Sequence, residues 1–178
     1  MFDWFKKKIA KPEYDPLNMS LTNLKKGFVL DYMSKTWLVT KEYEYDWGNN
    51  DFTMEYQLTS SNENIFLHVE EDDNLKLLVS KPVNFSTVGE NLASYIRKNE
   101  QPPGHLEFGG RSFSLISETA GHCREMTSER WEPFIAWDFE EPSGQYILSL
   151  EQWGEGDFEA YLGKIAFEYE FKDILPGG

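Results

Sequence analysis

Two strand–turn–strand segments of similar pattern constrain the fold of this chain more than any other feature. The clearer segment is residues 146–163, which cross a glycine-rich turn, and the fainter one is residues 65–80, which cross an acidic turn. In both, apolar residues alternate with polar ones, which is the period of a β-strand with one buried face. The chain is therefore predicted to consist of two similar halves.

The same alternation recurs along most of the chain, separated by turn residues. Besides the two segments above, strands are predicted at residues 28–32, 37–47, 52–58, 106–108, 111–118, 131–139 and 165–171. Short strands at this spacing with almost no helix predict an all-β fold. We expect internally duplicated antiparallel meanders forming a sandwich or barrel, with short N-terminal and connecting helices. The aromatic strands of the two halves are expected to form a shared core about a pseudo-twofold axis.

The domain organisation follows from where the period of two begins and stops. Residues 1–23 are interpreted as an amphipathic N-terminal segment and linker. Residues 24–178 are predicted to form a single all-β domain of two repeats, about 24–85 and 103–172, joined by a short helix. That helix is predicted from Leu92, Tyr95 and Ile96, which share a helical face after a capping-box pattern at 87–90.

The N-terminal segment has its own pattern, in which apolar residues recur at helical spacing beside a lysine cluster. Its candidate membrane-contact residues are Phe2, Trp4, Phe5, Lys6, Lys7, Lys8 and Ile9. An apolar face with flanking lysines is typical of a helix that lies in the membrane interface. The alternatives are a frayed terminus and a helix packed on its own domain.

Composition excludes several classes of partner. The chain has 17 Lys and Arg against 31 Asp and Glu, a formal net charge of −14, so nucleic acid is not expected as a partner. The single Cys123 cannot form an intramolecular disulfide, and no signal-peptide or membrane-spanning pattern is present in the sequence. We expect a cytoplasmic protein, with a peripheral position at the inner membrane as the alternative.

No constellation of reactive residues is recognisable, and neither a cofactor nor a metal is expected. His122 and Cys123 are adjacent, without the spacing that lets two ligands converge on zinc. Carboxylate pairs such as Glu151 with Asp157 are expected by chance in so acidic a chain. His68 falls on the polar alternation of its strand, so it is predicted to face solvent. The chain is therefore not expected to be an enzyme.

Several motifs resemble those of a known bacterial family. They are Gly27 before a short strand, the Trp-Leu-Val sequence at 37–39, residues 65–71, and residues 146–153 with Gly154 and the Tyr-Leu-Gly sequence at 161–163. These are similar to the family Domain of Unknown Function 4178, over about residues 24–165. The resemblance implies a bacterial accessory protein. Members are often encoded near envelope-stress or polyamine-related genes, which implies a role close to the membrane.

Two functions are predicted from the sequence. The first is a non-enzymatic interaction module that binds an unknown protein partner through Glu151, Trp153 and Asp157, because a Trp flanked by carboxylates suits a protein or cationic ligand. Trp153 alternatively packs over its own hairpin. The second function is binding of a small ligand, such as a sugar, a lipid or a polyamine, in a pocket between the aromatic halves.

Overall fold

The computed structural model describes residues 19–177. Within them the strands are β1 (Val29–Tyr32), β2 (Lys35–Asp46), β3 (Phe52–Ser60), β4 (Glu63–Glu71), β5 (Leu75–Val83), β6 (His105–Phe108), β7 (Arg111–Glu125), β8 (Glu132–Glu140), β9 (Tyr146–Trp153), β10 (Asp157–Ala166) and β11 (Phe171–Leu175). The predicted all-β fold is confirmed. Most of the predicted N-terminal segment, residues 1–18, lies outside the described residues.

The described strands form one antiparallel sheet that closes on itself. Their order is β11-β1-β2-β3-β4-β5-β10-β9-β8-β7-β6, with an additional pairing between β2 and β7. This pairing joins 43–46 of β2 to 122–125 of β7. It closes the eight strands β2–β5 and β7–β10 into a ring and leaves β1, β6 and β11 outside it.

The two halves of the sheet have the same strand order and a similar first turn. Strands β1–β5 form one consecutive antiparallel meander and β6–β10 form another. The first turn of each meander has two residues of positive φ, Met33 and Ser34 in one half and Gly109 and Gly110 in the other. The predicted duplicated meanders are thus present, whereas the residue boundaries assigned to the two repeats stay a prediction.

A β-bulge in the second strand of each meander switches the face that the side chains present. In β2 the register shifts between Val39 and Lys41, and in β7 it shifts between Leu115 and Ser117. Val39 belongs to an apolar core, whereas Tyr45 beyond the bulge faces the interior of the ring. The single apolar face predicted for the first of these strands is therefore divided between two environments.

Each half has its own apolar core on the outer face of the ring. The first core includes Trp37, Val39, Tyr56, Leu58, Ile65, Leu67, Val69, Leu77 and Val79, covered by Leu21, Leu30 and Phe171. The second includes Phe113, Trp137, Phe139, Leu148 and Leu150, covered by Val88, Leu92 and Ile96. The expectation of one shared core is wrong for most of these strands, because their opposite face lines a cavity. A smaller third core does join the halves, and its buried residues are Tyr45, Cys123, Phe134 and Ala136.

Two short helices connect the halves, α1 (Phe85–Val88) and α2 (Leu92–Asn99). In α2 the predicted face is buried at Leu92 and Ile96, whereas Tyr95 is exposed. The helix begins after Asn91, so the capping-box pattern at 87–90 does not start it. Among the described residues, no helix has the length and apolar character needed to cross a membrane.

The strand predicted at residues 165–171 is wrong. Strand β10 ends at Ala166, and a 3₁₀ turn over Glu168–Glu170 precedes β11. The Phe167 amide donates to the Glu170 carboxylate at 2.7 Å, and the Glu170 amide donates to the Phe167 carbonyl at 2.9 Å. This turn places Phe167 and Tyr169 on the surface despite their apolar alternation.

Candidate functional site

The interior of the ring holds a cavity of about 440 Å³. Its lining residues come from all eight strands of the ring. A second cavity of about 790 Å³ adjoins it, and both are lined by Tyr45, Glu55, Glu151 and Tyr161. We call these four residues the waist, because they lie where the two cavities meet. Two carboxyls and two phenols are therefore brought together from β2, β3, β9 and β10.

The two glutamates of the waist are held by hydrogen bonds from neighbouring rings. The Tyr45 hydroxyl donates to Glu55 Oε1 at 3.0 Å, and His68 Nδ1 lies 3.6 Å from Glu55 Oε2. The Trp153 indole nitrogen donates to Glu151 Oε2 at 3.1 Å. The positions of both carboxyls are thus fixed by side chains that also belong to the cavity walls.

The charge state of the waist is set by its removal from water. Burial, followed by the negative charges of Glu55 and Glu159, raises the pKa of Glu151 to about 8. Burial likewise raises the pKa of Tyr45 and Tyr161 above that of free tyrosine. The Glu151 carboxyl is therefore mostly protonated at neutral pH when no counter-charge is present, and both phenols keep their protons.

Aromatic rings form much of the wall around these carboxyls. Phe66 meets Tyr161 edge to face at 5.6 Å between ring centroids and lies 6.4 Å from Tyr43. Phe134 and Trp153 stack at 4.8 Å. Aromatic faces carry negative electrostatic potential and attract cations. The ring interior thus combines carboxyls with π-faces.

The described residues that line the two cavities are strongly acidic. Their acidic residues are Asp51, Glu55, Glu70, Glu132, Asp138, Glu151, Asp157 and Glu159. Among the same lining residues the basic side chains are Lys76, which binds Glu70 at 2.6 Å, and His68. Such an interior repels anions and favours cations.

Metal and thiol chemistry receive no support from the described part of the chain. Residues 19–177 contain no group of three or more His, Cys, Asp or Glu side chains placed to hold a metal ion. Cys123 is buried and its neighbour His122 is exposed, so the two lie on opposite faces of β7. Burial raises the pKa of the Cys123 thiol to about 12, which makes it a poor nucleophile at neutral pH.

The structure brings together the three residues predicted to bind a partner. Glu151, Trp153 and Asp157 all line the second cavity. Trp153 is half-buried against Phe134, whereas Asp157 is exposed at the start of β10. The predicted membrane-contact residues, Phe2, Trp4, Phe5, Lys6, Lys7, Lys8 and Ile9, lie outside the described residues.

Sequence reasoning missed Tyr45, Glu55, His68 and Tyr161. The prediction that His68 faces solvent is wrong, since it is half-buried and lines the ring interior. A polar alternation looks the same in sequence whether it faces bulk water or an enclosed polar cavity. A usable signal is the pairing of adjacent hairpin strands, which places His68 directly opposite Glu55.

The closed ring and its lining of acidic, aromatic and aliphatic residues define a class of all-β protein with an amphipathic cavity inside the sheet. The chain belongs to the family described as Domain of unknown function (DUF4178), whose match covers residues 25–165. The family resemblance seen in the sequence is thus confirmed. A relative in Aquifex aeolicus (strain VF5), an uncharacterized protein, is 29% identical over 172 residues, which cover 97% of this chain and 94% of the relative. No solved structure matches the chain.

Proposed function

We propose that this protein binds a small organic cation inside the ring and does not convert it chemically. The observation that carries the proposal is the waist, where Glu55 and Glu151 meet Tyr45 and Tyr161 between two cavities. Of the two predicted functions, this geometry favours the small-ligand pocket. Of the ligands predicted for it, a sugar, a lipid or a polyamine, the lining charge disfavours an anionic lipid and gives a neutral sugar no advantage, so that it favours a cation, whether a polyamine or another ammonium compound.

The argument for a cation is electrostatic. In a partly buried site, a carboxylate without a counter-charge is costly, and an ammonium group relieves that cost with hydrogen bonds as well as charge. A neutral sugar leaves the carboxylates without a counter-charge, and a phosphate-bearing lipid is repelled. Tyr43, Phe66 and Tyr161 line the second cavity, and aromatic rings attract cations.

The raised pKa of Glu151 predicts how binding depends on pH. In the empty site the carboxyl keeps its proton up to about pH 8, because burial and, after it, the surrounding carboxylates disfavour the charged form. A bound ammonium favours the ionised form, so binding below pH 8 releases a proton. Affinity for a permanently charged cation is therefore expected to rise between pH 6 and pH 9.

A protein partner and a membrane-proximal location stay predictions. A lysine side chain of a partner has the same chemistry as a free ammonium compound, so the accessory role predicted from Glu151, Trp153 and Asp157 is compatible with the cavity. A cytoplasmic location with peripheral membrane contact through residues 1–11 is retained as part of the proposal.

The test is titration of the purified protein with butylammonium, tetramethylammonium and spermidine, followed by calorimetry and thermal unfolding. A ligand that binds only the folded state raises the melting temperature in a saturable way. We expect butylammonium to do so and 1-butanol, its uncharged counterpart, not to do so at equal concentration. Absence of saturable binding by all three cations overturns the proposal.

Variants localise the binding. Glu55→Gln keeps the shape of the side chain and removes its charge, so affinity is expected to fall about tenfold or more, the effect of losing one charge-assisted hydrogen bond. Glu107→Gln is the matched control, because Glu107 is exposed on β6, outside the ring. Equal binding by the wild type and Glu55→Gln would show that the cation binds elsewhere.

A further inference from the structure

One side of the 440 Å³ cavity is aliphatic. Leu78, Ile116, Ile147 and Ile165 all line it. We call these four residues the aliphatic wall. They come from β5, β7, β9 and β10. Within the described residues, none of the four belongs to the first or the second apolar core. Their apolar surface is thus available to something inside the cavity.

Strand register places this wall beside the waist. Glu55 is paired with His68, His68 with Leu78, and Leu78 with Ile165, in one row across β3, β4, β5 and β10. Neighbouring strands lie about 4.8 Å apart. The row therefore passes from carboxylate to imidazole to two aliphatic side chains within three strand spacings. A ligand that contacts Glu55 has the aliphatic wall within reach.

In the middle of the wall, Leu78 packs over a glycine. Gly163 lies opposite Ile147 on β9 and next to Ile165 along its own strand. A Cβ at Gly163 would lie 2.7 Å from Leu78 Cδ1, so Leu78 occupies the space over the glycine. The leucine side chain thereby extends the aliphatic wall across β10.

The wall continues from the interior to solvent. Ile147 is only 9% exposed, whereas Ile165 is 38% and Ile116 is 55% exposed. Aliphatic side chains that remain in contact with water lose unfavourable hydration when an apolar group covers them. The cavity is therefore amphipathic, with carboxylates at the waist and an aliphatic path towards its mouth.

We infer that the natural cation carries an aliphatic chain, so that the ligand is an alkylammonium compound and not a polyamine. The inference rests on the proposed function and specifies its ligand class. The ammonium group binds at the waist, and the chain lies along Leu78, Ile147 and Ile165. A polyamine would instead place an ammonium group against Leu78, Ile147 and Ile165, whose side chains carry no hydrogen-bond acceptor.

Calorimetry with a series of primary alkylammonium ions tests the inference on the full chain. Ethyl-, butyl-, hexyl- and octylammonium carry the same charge and differ only in methylene count. We expect affinity to increase by up to about fourfold for each methylene that becomes buried, and hexylammonium to bind more tightly than spermidine. Equal affinities from ethyl to octyl, with binding retained, overturn the inference and leave the proposed function standing. Failure of every ammonium compound to bind overturns both.

Variants of the aliphatic wall give a second reading. Ile165→Ser and Ile116→Ser alter partly exposed side chains. Ile116 is the more exposed of the two, so its variant is expected to fold even if Ile165→Ser does not. Both are expected to flatten the dependence of affinity on chain length, because they weaken the binding of hexyl- and octylammonium more than that of ethylammonium. The control is Leu38→Ser, because Leu38 is 43% exposed on β2 and lines neither cavity among the described residues. A chain-length dependence equal to that of the wild type in both wall variants would overturn the inference.

Discussion

Glu151 lies where the two cavities meet, and its carboxyl is surrounded by other acidic groups. Burial and the charges of Glu55 and Glu159 raise its pKa to about 8, while the hydrogen bond from Trp153 opposes this only in part. A carboxyl in such a place costs stability when it is ionised and the site is empty. The same residue that favours a cation therefore weakens the empty fold at high pH.

The first prediction concerns the stability of Glu151→Gln as a function of pH. The folded protein holds the Glu151 proton up to about pH 8, whereas the unfolded chain releases it near 4.5. The contribution of Glu151 to the free energy of unfolding of the wild type is therefore largest below pH 4.5 and falls as the pH rises towards 8. The neutral glutamine has no such loss. Relative to the wild type, the variant should gain on the order of 3 kcal/mol between pH 5 and pH 8.

Urea unfolding at pH 5, 6.5, 8 and 9 measures this difference directly. Glu107→Gln is the control, because Glu107 is exposed on β6. The difference in free energy of unfolding between this variant and the wild type should change much less with pH. Parallel stability curves for Glu151→Gln and the wild type would mean that the carboxyl ionises normally in the folded protein.

At the residue scale, the sequence predicts which side chains are apolar but not which polar ones converge. Leu148 and Leu150 are fully buried in the second core, as their alternation predicts. Tyr45 and Glu55 gave no signal, because their meeting with Glu151 depends on strands that are distant in sequence. Such convergence is a property of the closed ring and has no counterpart in local periodicity.

At the scale of elements, β2 and β7 decide how the ring closes. Beyond its bulge each strand turns its alternate side chains into the interior and pairs with the other strand. Arg124 Nη2 lies 2.6 Å from Glu44 Oε2 across this pairing, which we call the ring seam. The Arg124 guanidinium also lies 4.6 Å from the centroid of the Trp131 ring. A one-residue bulge is invisible to a period-two pattern, which is why the sequence predicted one continuous apolar face for residues 37–47.

Gly121 is expected to be intolerant of even a methyl group, because β7 approaches the end of β2 closely there. A Cβ at this position would lie 3.0 Å from the Asp46 carbonyl oxygen, 3.1 Å from the Trp47 ring and 3.2 Å from the Phe134 ring. Gly121→Ala should cost about 1–3 kcal/mol of unfolding free energy, typical of overpacking. Urea unfolding measures the cost.

Gly104→Ala is the matched control for this substitution. Nothing lies within 4 Å of a Cβ placed at Gly104, so the alanine meets open space. Its stability should stay close to that of the wild type. If both alanine variants lost the same free energy, the close approach at the ring seam would not be the cause.

At the scale of the whole molecule, the ring joins two halves that each bury their own core. The alternation in the sequence was sufficient to predict the all-β class and the two meanders, because strand period and turn chemistry are local. The alternation could not predict how the two halves are arranged, because it does not show which face of a strand is core when aromatic residues occur on both faces. The face with Tyr56 and Leu58 became core, and the face with Thr53 and Glu55 became cavity wall.

The final prediction is that the two halves unfold together despite their separate cores. Seven residue pairs join β5 to β10 and four join β2 to β7, so opening one half leaves long strand edges of the other unpaired. Leu67→Ala removes a fully buried side chain from the first core. It is expected to cost about 2–5 kcal/mol. If unfolding is global, amide hydrogen exchange in β9, which belongs to the other half, should accelerate by the corresponding factor, from about thirtyfold to about a thousandfold or more.

Leu150→Ala gives the reciprocal experiment, because Leu150 is fully buried in the second core. It should accelerate exchange in β4 to the extent that it destabilises the protein. Acceleration confined to the half that carries the substitution would mean that each core opens independently. The ring would then open and close as two units, and a ligand at the waist would be expected to restore coupling, since Tyr45 and Glu55 come from one half and Glu151 and Tyr161 from the other.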